Sequence, residues 1–144
     1  MRKAILLFLI LIIVGIGIGV WLNKTGELAA TTSLMQREDD FILHLRVEEE
    51  DNGIKVLHSI QYLGEDDIKM LHKNPLVSIL LNNNEHYFTG STVTKNMKNG
   101  AIYHQEEVVF PPQNKGMRDL YIHAQFMLDG EEVNIHHVEE LHFQ

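Results

Sequence analysis

The chain has 144 residues and a formal charge of −8 at pH 7, which bounds it to one domain of ordinary size with an acidic surface. It contains no cysteine, so disulfides, thiolate nucleophiles and cysteine-based zinc sites are excluded. The acidic balance also argues against nucleic acid or an anionic lipid surface as the main partner, because both are bound through Lys/Arg patches.

The first predicted element is the run MRKAILLFLILIIVGIGIGVWL, residues 1–22. Between Ala4 and Leu22 no side chain is charged, and the Trp21 indole is the one hydrogen-bonding group. At about 1.5 Å per residue a helix over 4–22 spans roughly 28 Å, close to the hydrocarbon thickness of a bilayer. Arg2 and Lys3 precede the run, whereas Lys24 and Glu27 follow it. The positive-inside bias therefore predicts a single-pass protein of the cell membrane, with a cytoplasmic N-terminus and an extracytoplasmic remainder. A cleaved signal peptide is the competing reading. Its apolar core would be shorter, about 7–15 residues, and Leu28-Ala29-Ala30 makes a poor cleavage site. Gly15 and Gly19 form a G-x-x-x-G pair, a spacing that lets two membrane helices approach closely and so predicts a homodimer face.

Residues 23–40 are polar and small and are expected to form a stalk, with a weakly patterned short helix over Leu28 to Arg37. From Phe41 the period becomes two. Phe41, Leu43, Leu45 and Val47 alternate with Ile42, His44, Arg46 and Glu48, the pattern of a half-buried strand. Asn52-Gly53 is a turn signal. Ile54, Val56, His58, Ile60 and Tyr62 then line one face of a second strand. Ile68 to His72 is a short strand stopped by Pro75, and the apolar run from Leu76 reads as a central strand. His86 to Thr94 and Ala101 to Phe110 are two further strands, separated by KNMKNG. Pro111-Pro112 ends the second, because proline cannot donate to a sheet ladder. Asp119 to Leu128 and Glu131 to Phe143 close the domain as a hairpin. The expected organisation is all-β over 41–144: an immunoglobulin-like sandwich of about 7–8 antiparallel strands after one N-terminal transmembrane helix. A lipocalin-like closed barrel is the rival architecture.

Asp129-Gly130 is a strong two-residue hairpin signal. It sets the register: Leu128 faces Glu131, Phe126 faces Val133, Ala124 faces Ile135 and Ile122 faces His137, a mainly apolar inward face. The opposite face pairs Met127 with Glu132, Gln125 with Asn134, and His123 with His136. Cross-strand Cβ atoms lie about 4.5–5.5 Å apart, so His123 and His136 are a candidate metal pair, with Met127 and Glu132 as possible support. Imidazole with thioether or carboxylate suits copper, zinc or nickel. A third ligand would have to come from elsewhere, with His86, His104 and His142 as candidates. The alternative is that both imidazoles are ordinary surface residues. His137 falls on the inward parity, which predicts either a hydrogen-bonded core histidine or a bulge.

No other catalytic constellation is present. Glu48 to Asp51 and Glu65 to Asp67 lie at turns and do not follow a calcium-loop spacing. None of Ser33, Ser59, Ser78 and Ser91 sits in G-x-S-x-G or S-x-x-K. No phosphate-cradling or dinucleotide glycine motif occurs. A cofactor is not expected beyond copper or zinc.

One run, IQYLGEDDIKMLHKNPLVSILL (residues 60–81), resembles a strand-turn-strand pattern of small, membrane-anchored, uncharacterised exported proteins of low-GC Gram-positive bacteria. Tyr62, Gly64, Ile68, His72, Pro75 and Leu76 carry the likeness. The resemblance implies a sandwich at the cell envelope and implies no activity. Together these features predict a non-enzymatic module that binds a protein partner at the envelope, with extracytoplasmic copper or zinc binding as the alternative. LNNNEHY and TKNMKNGAIYH are the expected binding loops, since loops on a rigid scaffold carry recognition.

Overall fold

A computed structural model describes residues 25–51 and 53–144. The predicted membrane span over 4–22 and its Gly15/Gly19 face lie outside those residues. Among the described residues no helix is long and apolar enough to cross a membrane.

The described residues form ten strands: β1 (Thr32–Glu38), β2 (Phe41–Glu50), β3 (Gly53–Tyr62), β4 (Ile68–Lys73), β5 (Val77–Leu81), β6 (Thr92–Met97), β7 (Ile102–His104), β8 (Val108–Phe110), β9 (Gly116–Leu128) and β10 (Glu131–Phe143). They pair antiparallel into two five-stranded sheets. Sheet I runs β1-β2-β3-β7, with β8 also on β3; sheet II runs β10-β9-β4-β6, with β5 also on β9. The inward sides of both sheets share one core, in which Phe41 of β2 meets Phe126 of β9 edge to face at 4.8 Å between ring centroids. The all-β expectation holds, and two separate sheets replace the closed-barrel rival.

Local chemistry explains the hairpins. Asp129 and Gly130 take φ of 50° and 83°, the paired positive values of a type I′ turn, whose twist matches the strands. The register that follows is the expected one throughout, His136 opposite His123 included. Gly53 takes φ 132°, and a Cβ there would fall 1.8 Å from the Phe110 carbonyl oxygen, so only glycine fits where β3 and β8 begin to pair.

The structure corrects several expectations. The segment 23–40 is not simply a stalk, and Leu28 to Arg37 is not helical. β1 pairs along β2 from Thr32↔Val47 to Glu38↔Phe41, and Leu34 packs on the core. Asp39-Asp40 is the turn of that hairpin, with Asp39 at φ 48°. Upstream, the Ala29 N–H donates to His142 O at 2.8 Å, so the chain touches sheet II before crossing to sheet I. The described residues form ten strands rather than 7–8, because β1 joins the fold and one predicted strand is divided. His86 to Thr94 is unpaired as far as Ser91, and β6 runs instead into the presumed loop, where Met97 is buried. Ala101 to Phe110 is split into β7 and β8. Finally, the apolar run from Leu76 pairs only with β9 among the described strands; core packing on one face and the following loop on the other bury it.

Two ladder breaks interrupt the sheets, one in each. Ser59 pairs His104 and Val56 pairs Val108, so two residues of β3, Leu57 and His58, oppose three, Gln105 to Glu107. That is a β-bulge. In sheet II, Leu71 pairs Met127 and Val77 pairs Ala124. The chain between β4 and β5 leaves the ladder around Pro75, which has no N–H to offer it.

Candidate functional site

The outer face of sheet II carries the predicted histidine pair. Ser78 of β5, His123 of β9 and His136 of β10 form one cross-sheet row. The imidazoles of His123 and His136 stack at 3.9 Å between centroids, with planes 29° apart. The unpaired segment 82–91 lies across this row as a strap. It sets His86 edge-on to His123 at 5.3 Å and Phe88 edge-on to the same ring at 4.9 Å. Nδ1 of His86 and Oγ of Ser78 share a hydrogen bond of 2.8 Å. His123 is therefore half-covered rather than on an open face, while His136 stays exposed.

A polar chain extends from the row. Nε2–H of His123 donates to Asn134 Oδ1 at 2.7 Å, and Asn134 Nδ2 donates to Glu132 Oε1 at 2.8 Å. Burial, and then the neighbouring imidazoles, push the His86 pKa down. Burial pushes His123 down as well, against the opposing effect of its Asn134 hydrogen bond. Both rings are thus held neutral, the form that ligates metals.

The geometry constrains what the pair can do. Imidazole lone pairs lie in the ring plane, so stacked rings aim their nitrogens side by side and not at a common point. Nε2 of His123 is also engaged by Asn134. One ion shared by both rings needs His136 to turn, which its exposure permits. Met127 sits two pairs away, opposite Glu132. Among the described residues no group of three or more His, Cys, Asp or Glu side chains is placed to hold a metal ion. Of the other candidate ligands, His104 lies on sheet I. His142 is two register steps beyond Glu140 toward the far end of β10, opposite Met117.

His137 resolves differently. The register passes it without a bulge, opposite Ile122, and its Nε2 contacts Glu139 Oε2 at 3.1 Å. Both point inward on an edge strand, an arrangement that discourages another strand from adding there.

Beside the histidine row runs an apolar one, Leu80, Tyr121 and Val138 across β5, β9 and β10. Val138 is 53% exposed, and Tyr87, projecting from the strap, is 68% exposed. The expected binding loop LNNNEHY and the candidate ligand His86 both fall here, whereas the expected strand from His86 to Thr94 missed the strap. Its signal was available in NNNEHYFTGS, where asparagines and glycine outnumber strand formers.

No protein-family model matches the chain, and no curated protein is similar to it. Among solved structures, the GAE domain of GGA2p from Saccharomyces cerevisiae matches with a TM-score of 0.41 and 12% identity, covering 77% of this chain and 96% of that one.

Proposed function

We propose that the protein is a membrane-anchored, extracytoplasmic, immunoglobulin-like sandwich that acts as a non-enzymatic protein-interaction module at the cell envelope. The observation that carries the interaction role is the apolar row Leu80, Tyr121 and Val138, half-buried at its first two residues and exposed at Val138, with the exposed Tyr87 beside it. Rigid aromatic and apolar side chains on a sheet face are the usual anchors of protein interfaces. The charged leader flanks and the apolar run 4–22 support the anchor, and Gly15 with Gly19 supports self-association within it. Crosslinking in intact membranes, followed by capture of the full chain, tests both parts. A partner captured by the wild type and lost with Tyr87→Ser/Val138→Ser supports the reading. Capture that is indifferent to those changes, or a domain sheltered from protease added outside the cell, sinks it.

A second reading is extracytoplasmic copper or zinc binding by His123 and His136. It is supported by the register that sets His136 opposite His123 and by the third imidazole, His86, against His123, and it requires His136 to turn out of the stack. Titration of the full chain with Cu(II) and Zn(II) tests it. Micromolar or tighter binding, lost in His123→Ala/His136→Ala, is the expected result. Binding no tighter than that of a scrambled His-rich peptide ends it.

A further inference from the structure

The chain is pinned where it enters the fold. Thr25 bridges Asn114 antiparallel, and the Gly26 N–H donates to Gln113 O at 2.8 Å. Glu27 and Gln144 exchange two backbone hydrogen bonds of 3.1 and 2.9 Å, and the Ala29 N–H reaches His142 O. Leu28 bridges Phe143 and packs on the core. Gly26 makes the closest approach. A Cβ there would stand 2.8 Å from Phe143 Cβ and 3.0 Å from Lys115 Cα, so a larger residue would force the segment off the domain. Residues 25–29 therefore lie fixed along the end of sheet II and do not swing free before β1.

These contacts gather at one end of the molecule. β9 starts there at Gly116, opposite Phe143, and the turn from Glu50 to Gly53 and the pairing of Ile54 with Phe110 lie at the same end of sheet I. A cavity of about 490 Å³ joins the two sheet ends, with Glu27, Glu50, Asp51, Pro112 and Gln113 among its lining residues. The opposite end carries Asp129-Gly130 and the loop before Ile68. β9 is 13 residues long, so at about 3.3 Å per residue the two ends stand about 40 Å apart.

Only Asn23 and Lys24 separate the apolar run 4–22 from the pinned Thr25. Leu22 to Thr25 spans at most about 11 Å when fully extended, and the headgroup layer takes up about 5–8 Å on each side of the hydrocarbon. We infer, on the anchor reading proposed above, that the domain has no stalk and stands end-on upon the membrane. Its β2–β3 turn and residues 111–115 rest against the lipid headgroups, and the Asp129-Gly130 end is presented outward. The contact surface is charged. Glu27, Glu49, Glu50 and Asp51 line its cavity, and Lys115 lies beside Gly26. Such groups are costly to bring into hydrocarbon, so this end meets the bilayer at headgroup depth and does not insert.

The absence of cysteine lets the full chain carry one introduced cysteine at a time. Asp51→Cys and Lys115→Cys report the near end, and Glu65→Cys and Glu131→Cys the far end, all at exposed positions. Each protein is labelled with a fluorescent maleimide and reconstituted in phosphatidylcholine vesicles containing a lipid with a nitroxide on its headgroup. Near-end labels should be quenched about twofold or more above far-end labels, because nitroxide quenching is short-ranged and the ends stand about 40 Å apart. Inserting about a dozen Gly/Ser residues between Lys24 and Thr25 adds roughly 19 Å of reach and leaves the pinned segment intact; it should erase most of that difference. Protein that floats with the vesicles yet is quenched equally at both ends, or keeps its near-end quenching with the inserted linker, overturns the end-on placement. Protein that does not float with the vesicles overturns the anchor reading, and the placement with it.

Discussion

Replacing Phe126 by alanine tests how the two sheets meet. Phe126 is 1% exposed on the inward face of β9 and packs edge to face on Phe41, which in turn lies 5.2 Å from the Tyr62 ring. Removing a buried phenylalanine side chain costs about 3–5 kcal/mol, of which the aromatic contact contributes about 0.5–1.5 kcal/mol. A domain of this size is stable by only about 5–15 kcal/mol in total, so Phe126→Ala should remove about a fifth or more of the stability. Urea unfolding followed by tryptophan-independent far-UV dichroism gives the number, with the slope against denaturant unchanged if only the native core is affected. Met35→Ala is the paired control. Met35 is 70% exposed on the outer face of sheet I, and its loss should stay within about 0.5 kcal/mol. A Phe126→Ala cost below about 1 kcal/mol, or equal costs for the two variants, refutes the assignment of inward and outward faces.

Other outcomes follow from the same structure. Gly53→Ala should destabilise by about 2 kcal/mol or more, because it combines a left-handed backbone with a side-chain atom in the space of the Phe110 carbonyl; an unchanged melting temperature would contradict the β3–β8 pairing. A chain trimmed to start at residue 39 loses the whole of β1 and bares the edge of β2. It should unfold at lower urea than a chain starting at residue 25 and aggregate in light scattering. Equal behaviour would return 32–38 to the stalk. Acid should weaken the fold through His58, His86 and His123. Burial lowers the pKa of each, so the folded state binds fewer protons than the unfolded chain. Their contribution is then complete above the unfolded value of about 6.5 and is lost as the pH falls below it. The urea midpoint should drop between pH 7.5 and 5.5, and His58→Phe should reduce that drop. A midpoint independent of pH would show these rings to be solvated.

Sequence by itself determined whatever neighbouring residues decide. Alternation from Phe41 onward assigned the inward faces of β2 and β3, His58 included. The Asp129-Gly130 pair fixed the β9–β10 register to its last residue, because a two-residue turn of defined hand leaves the strands one way to align. Pro75 and Pro111-Pro112 marked ladder ends by lacking a donor. Tertiary structure alone decided where the chain closes on itself. Thr32–Glu38 has little strand character of its own, yet it becomes β1 because Leu34 finds the core and β2 offers a free edge. His86 and Phe88 lie in a segment without ladder partners, and they reach His123 only because sheet II presents an uncovered row. The bulge opposite His58 needs β3, β7 and β8 in one sheet before its one-residue mismatch exists. Turn geometry and period two act over a few residues and are written locally, whereas a strap, a bulge and a cavity depend on segments that meet only after the sheets have formed.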